Sequence, residues 1–476
     1  MLREMKKNKF LFFFILLHVW SQQSFALLDS ALVLGRNDLI NIIRQYHPVV
    51  LQANLQVKRA EAEVMQARGG FDPLLQSGYD RKTFDGKLYY NYFNPQLTIP
   101  TWYGLQIKAG LEEVFGERVT TEATLGKTSY LGAKLSSNEL FFDGRRAALR
   151  QAQSLKSLSE TERRMAVNDL MRDALAVYWD WLREYQNYTL LSNLINVNEE
   201  RIRLVRIEFL QGNRPAIDTT EVVAQLLSLK QEQSATWLSF QNQGVLLSNY
   251  LWGENVQPFS LTPDIIPDTS ILLGEHENYL NDILSLVDFD PSLHPKMEAY
   301  RNKLDFLEIE RRLKAQYLMP KLSVKANMLN RGYEAPSEVS STLLENNYKI
   351  GVDFALPLFM REARGAYRSS KLKIQETWLA RDQEQLNLQN KVRAYYNEVV
   401  NLKEQINFYE TAYANYFRLY QGEKTRFEIG ESTLFILNSR ENKLLEARQK
   451  LVELKTKWHK SYTGLLWAAG RFADMI

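Results

Sequence analysis

The 476-residue sequence contains no cysteine. This absence excludes disulfide bonds, metal sites built on thiolates, cysteine nucleophiles and a lipid anchor attached to cysteine. An excess of one charge is also missing, because 59 lysine and arginine residues against 56 aspartate and glutamate residues give a net charge of +3. A charge so close to neutral does not suggest a nucleic-acid-binding surface. Charge therefore does not identify a partner.

Histidine is scarce, and the sequence motifs of catalysis are missing. The chain has five histidines, and His47, His276, His294 and His459 are too scattered to predict a metal site. Beyond the N-terminal region there is no GxxxxGK[ST] nucleotide loop and no glycine-rich dinucleotide-binding turn. We therefore predict that the protein is not an enzyme and has no catalytic residue, no cofactor and no metal.

A long apolar run occurs only near the N-terminus. A lysine-rich start precedes the run at residues 10–20, and Ser24 and Ala26 are small residues where a signal peptidase would cut. We predict a signal peptide at residues 1–26, because the run is too short for the roughly 20 residues of a membrane-spanning helix. No later segment resembles such a helix, so any passage through a membrane would have to use β-strands.

The dipeptide His-Pro occurs twice and marks an internal repeat. Its prolines, Pro48 and Pro295, are 295 − 48 = 247 residues apart, and the next pair of matching prolines, Pro73 and Pro320, are also 320 − 73 = 247 apart. Further along the chain the offset between matching landmarks falls to about 217. The first copy therefore has about thirty additional residues between Pro73 and Phe142.

The offsets divide the chain into a first repeat at 27–252, a connecting segment at 253–291 and a second repeat at 292–476. Each repeat is predicted to run helix, β-hairpin, long helix, helix, which makes a mainly α protein with a smaller β part. The connecting segment carries four prolines and one short helical stretch near 281–287. The predicted helices are 47–72, 143–211 and 217–251 in the first repeat, and 294–319, 360–428 and 433–467 in the second.

Strict alternation of apolar and polar residues predicts the strands. It is clear at about 321–329 and 347–356 in the second repeat, and at 103–112 within the β-rich region of about 74–142 in the first. The opening strand of the first repeat lies somewhere in 74–93, where the period is weak. A soluble antiparallel sheet would alternate equally well. Isolated hairpins are marginal in water, however, so hairpins pooled from several chains into a membrane barrel are the favoured interpretation.

The long helix of the second repeat carries apolar residues at alternating steps of 3 and 4. This spacing of 3.5 residues is typical of helices that supercoil around a partner. Further apolar residues beside the stripe, such as Phe408 and Phe417, predict packing against more than one neighbour. The stripe consists of Val392, Tyr395, Val399, Leu402, Ile406, Tyr409, Tyr413, Tyr416 and Tyr420.

Both long helices stop at a glycine. The segment EFLQGNRPAID contains Gly212, and RFEIGESTLF contains Gly430. Glycine just past a helix, followed by proline or by a capping serine or threonine, predicts a stop and a restart. Each repeat is therefore expected to form a hairpin of antiparallel helices with its tip at the glycine.

The duplicated order of these motifs resembles the TolC-like outer membrane efflux protein family. The likeness rests on the glycine-bearing turns, on the strand-to-helix joins ELFFDGRR and LPLFMREAR, on the two His-Pro helices and on the closing LLWAAG. The resemblance implies a homotrimer in the outer membrane of a Gram-negative bacterium. Each chain would give four strands to a shared 12-strand β-barrel, and its helices would form an α-helical tunnel of coiled coils through the periplasm.

The resemblance also implies a passive exit duct for drugs and toxic compounds. A periplasmic membrane fusion (adaptor) protein would dock on the helix tips, and an inner-membrane RND or ABC transporter would deliver the substrate and supply the energy. The tip residues that correspond to the docking site are Phe209, Gln211, Gly212, Asn213, Arg214, Phe427, Ile429, Gly430, Glu431 and Ser432.

Family members often narrow the periplasmic entrance with acidic residues six and nine positions after the second glycine. Ile436 and Ser439 occupy those positions here, with Asn438 nearby. The first repeat offers Asp218 and Glu221 at the matching distances from Gly212, so we take these two acids and Asn438 as entrance candidates. Two alternatives stay open: a duct for type I protein secretion, and a soluble periplasmic coiled-coil scaffold.

Overall fold

The computed structural model describes residues 32–117, 124–273, 283, 286, 290–333 and 347–475. The predicted signal peptide lies outside the described residues. Of the short helical stretch predicted near 281–287, only Ile283 and Leu286 are described, and both are buried against the second repeat. Among the described helices, none combines the length and apolar character needed to cross a membrane.

The helices of the two repeats follow the same order. The first helix of each repeat is medium in length, the next is very long, and a helix of intermediate length returns beside it. Their bounds are α1 Arg36–Tyr46, α2 Pro48–Arg68, α3 Ser137–Phe142, α4 Gly144–Leu210, α5 Ala216–Ser248, α6 Ser270–Leu273, α7 Pro295–Gln316, α8 Arg361–Glu428 and α9 Leu434–Ala468.

The strands of the described residues form one large sheet and two small pairs. Along the chain, the strands of the large sheet follow the medium-length helix of each repeat and precede its long helix. The bounds are β1 Leu32–Leu34, β2 Leu74–Phe84, β3 Lys87–Pro100, β4 Leu105–Phe115, β5 Gly126–Ser136, β6 Trp252–Gly253, β7 Gln257–Pro258, β8 Ile265–Pro267, β9 Lys321–Arg331 and β10 Tyr348–Ala355.

The His-Pro pairs begin the medium-length helices α2 and α7. The Nδ1 atom of His47 accepts the N–H of Val49 at 3.2 Å, and that of His294 accepts the N–H of Lys296 at 3.0 Å. Each proline occupies the first helical position, where its missing N–H costs no hydrogen bond. His47 and His294 therefore cap the helices α2 and α7.

His294 makes the stability of the fold depend on pH. Burial, together with the charge of nearby Lys296, lowers the pKa of His294 to about 4. The unfolded chain takes up a proton below about pH 6.5 and the folded chain does not, so stability is full above pH 6.5 and falls with pH. Between pH 7.5 and 5 we expect a loss of about 2 kcal/mol in the free energy of unfolding.

Thermal denaturation of the purified protein at a series of pH values measures this loss. The control is His294→Asn, because asparagine also caps helices but does not titrate. We expect the variant to lose less stability than the wild type over the same interval. Equal pH dependence in the two proteins would refute the role of His294.

The two repeats stand side by side with their returning helices parallel. Gln225 donates to Asn442 at 2.7 Å, and Gln449 donates to Glu232 at 2.7 Å. The members of each pair are 217 residues apart (442 − 225 and 449 − 232), the offset of the sequence repeat. Matching positions of α5 and α9 therefore meet at the same height.

The apolar stripe of the second long helix is largely buried. Val392, Val399, Leu402 and Ile406 pack with residues of α9 in one core cluster. A second cluster surrounds Trp181, which is buried between α4 and α5 beside the first helices. These cores join each long helix to its returning partner, as a spacing of 3.5 residues predicts.

The large sheet has six antiparallel strands in the order β10-β9-β5-β4-β3-β2. The resemblance implies four strands from each chain, so the chain contributes two more than expected. The first repeat supplies four strands, and the region from 74 to 93, which was expected to hold one opening strand, contains all of β2 and the first half of β3. The sheet is curled like half of a barrel.

A tight turn at Asp85 and Gly86 joins the two unexpected strands. Both residues have positive φ, 52° and 71°, as the two central residues of a type I′ hairpin turn require. The register of β2 on β3 shifts between Lys82 and Thr83. Such a bulge interrupts the alternation of faces, which explains the weak period of this region.

The first β-rich region ends earlier than the expected residue 142. Strand β5 ends at Ser136, and the next six residues form α3. Asp143 then starts the long helix α4, because its buried carboxylate accepts the N–H of Arg145 at 2.8 Å and pairs with the Arg145 guanidinium. Aspartate at this position satisfies a backbone donor that the helix leaves unpaired.

Candidate docking site at the helix tips

The helix tips lie far from the sheet. Helix α4 has 67 residues and α8 has 68, and at 1.5 Å per residue each reaches roughly 100 Å. Both long helices start next to the sheet, so the turns that follow them form the opposite end of the molecule. The chain is therefore elongated. It has an amphipathic sheet at one end and two helical turns at the other.

Both tips have the same backbone geometry. Gly212 and Gly430 have φ of +76° and +81°, a conformation that other residues adopt only with strain. In the first tip the N–H of Asn213 donates to Glu208 O at 2.9 Å, and in the second the N–H of Glu431 donates to Arg426 O at 2.8 Å. These are the hydrogen bonds of a Schellman motif, which closes each helix at the glycine.

A cation–π contact joins the two tips. The guanidinium carbon of Arg214 lies 4.2 Å from the centre of the Phe427 ring. The same guanidinium pairs with Glu208 and, at 3.3 Å, with Asp218. Arg214 therefore connects the first tip to the second, and the structure brings together these two predicted docking residues.

Other predicted docking residues hold the turns in shape. The Ser432 hydroxyl donates to the buried carboxylate of Glu423. Asn213 donates to Gln211 at 3.4 Å, and both side chains are exposed. Phe209 is also partly open to solvent, with 40% of its surface exposed. The tips thus combine a fixed backbone with accessible side chains.

Four exposed apolar side chains surround the two turns, and we call them the tip patch. Its members are Leu210, Ile217, Ile429 and Phe435, with exposed fractions of 82%, 69%, 64% and 71%. Ile217 and Phe435 each lie five residues after their glycine, so the two repeats present them at matching positions. Sequence reasoning identified Ile429 and missed the other three. Exposed apolar side chains at the end of the helical body make the tip patch a candidate surface for protein contact.

The entrance candidates have partners within the chain. Asp218 accepts from Arg214, and Glu221 accepts from the amide of Asn438 at 3.0 Å. Asn438 is buried, whereas the two acids are half-buried. The structure therefore brings Glu221 and Asn438 together across the two repeats and places Asp218 on the first tip.

A buried ion pair lies about three helical turns from the tip glycines, and sequence reasoning missed it. The Arg201 guanidinium donates to both carboxylate oxygens of Glu441, at 2.8 and 2.6 Å. Asn198 also donates to Glu441, at 3.0 Å, and Asn438 accepts from Arg201 at 3.2 Å. The exposed fraction of Glu441 is 1% and that of Arg201 is 8%. This network connects α4 to α9 inside the helical body.

The electrostatics of the network favour the charged pair. Burial alone would lower the pKa of Arg201, but its hydrogen bonds and attraction to Glu441 outweigh burial and raise that pKa. Burial raises the pKa of the Tyr420 hydroxyl on α8, and the charge of Glu441 raises it further. Tyr420 therefore stays neutral beside the ion pair.

Comparisons with known proteins agree with this arrangement. Residues 292–471, most of the second repeat, match the family model described as outer membrane efflux protein. No curated protein matches the sequence. Several solved structures share the fold at low sequence identity.

Three of these structures illustrate the extent of the likeness. The CmeC outer membrane channel of Campylobacter jejuni superposes with a TM-score of 0.61 at 15% identity, over 91% of this chain and 85% of that one. The outer membrane protein VceC of Vibrio cholerae gives 0.61 at 17%, over 91% and 96%. The open state of the MtrE outer membrane channel of Neisseria gonorrhoeae gives 0.60 at 13%, over 94% and 94%.

The likeness to the solved structures extends over both repeats, and the family model adds an independent match in sequence to the second. The duplicated helical hairpins, the curled sheet and the glycine-bearing tips are consistent with both. The chain therefore shares the fold of these outer membrane channels along most of its length, and its residues 292–471 match the outer membrane efflux protein family in sequence.

Proposed function

We propose that this protein is a passive exit duct in the outer membrane, through which small toxic molecules leave the periplasm. The observation that carries the proposal is the pairing of an amphipathic sheet with helices of about 100 Å that end in an exposed apolar tip patch. The sheet suits a lipid wall, since one face is apolar and the other polar. The helices suit a tunnel across the periplasm.

The proposed duct is a homotrimer. A row of exposed apolar side chains runs along α8 at steps of seven residues, namely Leu372, Leu379, Leu386 and, two steps on, Val400. Apolar residues in a heptad row pack against another helix. Because the row is exposed in one chain, a neighbouring copy is the natural partner.

The proposed partners at the tips are a periplasmic adaptor and, through it, an inner-membrane RND or ABC transporter. Apolar contact centred on the tip patch would bind the adaptor, and the Schellman turns would hold the patch rigid. Such preorganisation favours association because less conformational entropy is lost on binding. Asp218 and Glu221, just beyond the tips, are proposed to narrow the periplasmic entrance, where Arg214 and Asn438 fix their positions.

Deletion of the gene tests the proposed function. We expect the deletion strain to accumulate a fluorescent dye and to become more susceptible to toxic small molecules, and expression of the wild type to reverse both changes. The protein should fractionate with outer membranes, require detergent for extraction and form ion-conducting pores in planar lipid bilayers.

The two alternatives give different results in the same experiments. A periplasmic scaffold would be released without detergent and would form no pores. A duct dedicated to protein secretion would leave dye accumulation unchanged while a secreted protein disappeared from the medium. Either result would contradict the proposed efflux function.

A further inference from the structure

The additional hairpin β2–β3 is a continuous part of the sheet. Strand β3 pairs with β4 from Asn91 to Pro100, except that Asn94 and Pro95 have no partner in β4. Proline has no N–H to give to a neighbouring strand, which accounts for the interruption. Phe93 pairs with Glu113 before the interruption, and Gln96 pairs with Gly110 after it. Both strands advance by three residues between these pairs, so the register is the same on both sides.

The hairpin also continues the apolar face of the sheet. Neighbouring strands pair residue by residue along one row that crosses all six strands. From β2 to β10 the row consists of Leu75, Leu97, Ala109, Leu131, Met328 and Tyr348. Leu75 and Tyr348, at the two ends of the row, are strongly exposed in one chain. A face of this kind suits contact with lipid over the whole width of the sheet.

Side chains on the opposite, polar face tie the hairpin to the other strands. Tyr92 of β3 donates to Glu112 of β4 at 2.9 Å, and Asn94 donates to the Tyr92 hydroxyl at 2.8 Å. Tyr130 of β5 reaches across β4 to Asn94 at 3.2 Å. It can do so because Gly110 has no side chain, and a Cβ there would lie 2.5 Å from the Tyr130 ring. Contacts on the polar face and the continuous row on the apolar face therefore both hold the hairpin in the six-stranded sheet.

The edges of the sheet determine how copies of the chain can join. Within the described chain, β2 and β10 each have one neighbouring strand, whereas β4 lies between β3 and β5. The strands alternate in direction across the sheet, so β2 and β10 run in opposite directions. The β10 edge of one copy can therefore pair antiparallel with the β2 edge of the next.

We propose that β10 of one copy pairs with β2 of its neighbour, so that three copies close a barrel of eighteen strands rather than twelve. This inference rests on the trimeric duct of the proposed function. The diameter of a barrel grows roughly linearly with strand number, so the bore is about 1.5 times as wide as that of a twelve-strand barrel. Barrels of 16–18 strands enclose an aqueous channel. Closure also removes both sheet edges, which would otherwise invite aggregation.

Cysteine crosslinking in outer membranes tests the pairing, and the absence of native cysteine gives a clean background. One cysteine is placed on the polar face of β2 and one on the polar face of β10, because paired antiparallel strands bring Cα atoms within the range of a disulfide. The combinations join Gln76→Cys, Asp80→Cys or Lys82→Cys with Lys349→Cys, Gly351→Cys or Asp353→Cys. We expect at least one combination to give covalent dimers and trimers on denaturing gels.

The matched comparison moves the first cysteine from β2 to β4, at Gln106 or Lys108. These combinations should stay monomeric if β3 covers that edge of β4. Lys325→Cys with Gly351→Cys is the positive control for oxidation, because these residues are register partners within one chain. Its disulfide should form without changing the molecular mass.

The outcomes distinguish this inference from the proposed function. Crosslinks from β10 to β4, with none to β2, would overturn the eighteen-strand barrel while leaving a trimeric duct intact. Absence of crosslinks from both sets, with the positive control oxidised, would also overturn it. Dye export by the same cysteine variants reports on the duct itself, so a failure of the proposed function would appear there.

Discussion

Replacement of Ile217 and Phe435 by aspartate is expected to reduce dye export to the level of the deletion strain. Both side chains belong to the tip patch and present most of their surface to solvent in one chain. In the docked complex a carboxylate would have to be buried against an apolar partner surface, at the cost of its hydration. Loss of such a central contact typically costs about 2 kcal/mol or more, and the proposed trimer would repeat the loss at every tip.

The same substitutions should leave the channel folded. Ile217 and Phe435 are the second residues of α5 and α9, and aspartate in the first turn of a helix is favoured by the helix dipole. Neither side chain is part of a buried cluster. The amount of the proposed trimer in the outer membrane, measured on native gels, is therefore expected to equal that of the wild type.

Two control variants separate charge from the loss of the apolar contact. Ile217→Leu with Phe435→Leu keeps the patch apolar and should export dye normally. Thr220→Asp adds a carboxylate to the same turn of α5 outside the patch, and it should also have little effect. Normal export by the double aspartate variant would show that the proposed adaptor does not dock on the tip patch.

The helical body could be predicted from the sequence because local chemistry determines it. Proline after histidine marks a helix start, Gly212 and Gly430 mark the stops, and the spacing of 3.5 residues marks the packed face. These signals depend on neighbours within a few residues. The constant offset of 217 residues then implied that the two repeats have equivalent positions. The hydrogen bond between Gln225 and Asn442 joins two such positions, because these residues are 217 apart.

The additional hairpin was missed although the sequence contained its strongest signal. Asp85-Gly86 is the dipeptide that a type I′ turn prefers, and it lies in the middle of the expected opening strand. The register shift between Lys82 and Thr83 weakened the alternation that was used to find strands. Gly78, which has no side chain, weakened it further. Turn chemistry should therefore have taken precedence over periodicity in this segment.

The tip patch and the buried ion pair depend on contacts that sequence spacing does not reveal. Ile217 and Phe435 look like ordinary apolar helix positions, and only the packing of the hairpin shows that they point away from the core. Arg201 and Glu441 are 240 residues apart, in different repeats. Their pairing follows from the side-by-side placement of α4 and α9.

Replacement of Glu441 by alanine is expected to lower the free energy of unfolding by about 3–5 kcal/mol, because it leaves the Arg201 charge buried without its partner. The bidentate contact and the hydrogen bond from Asn198 would be lost together. The measurement is thermal denaturation of the purified protein in detergent. Glu199→Ala is the matched control, since it removes an exposed ion pair with Lys230 that joins α4 to α5. Exposed pairs contribute about 1 kcal/mol at most.

Removal of both charges distinguishes a buried pair from a simple loss of packing. In Arg201→Met with Glu441→Leu no charge is left without a partner, and the apolar side chains fill much of the same volume. Substitutions of this kind are often neutral or stabilising, so the double variant should be more stable than Glu441→Ala alone. If the two single changes instead added up in the double variant, Arg201 and Glu441 would contribute independently. The stability of the helical body near the tips would then come from its apolar contacts, such as Val205 and Val222 against Leu434, rather than from the ion pair.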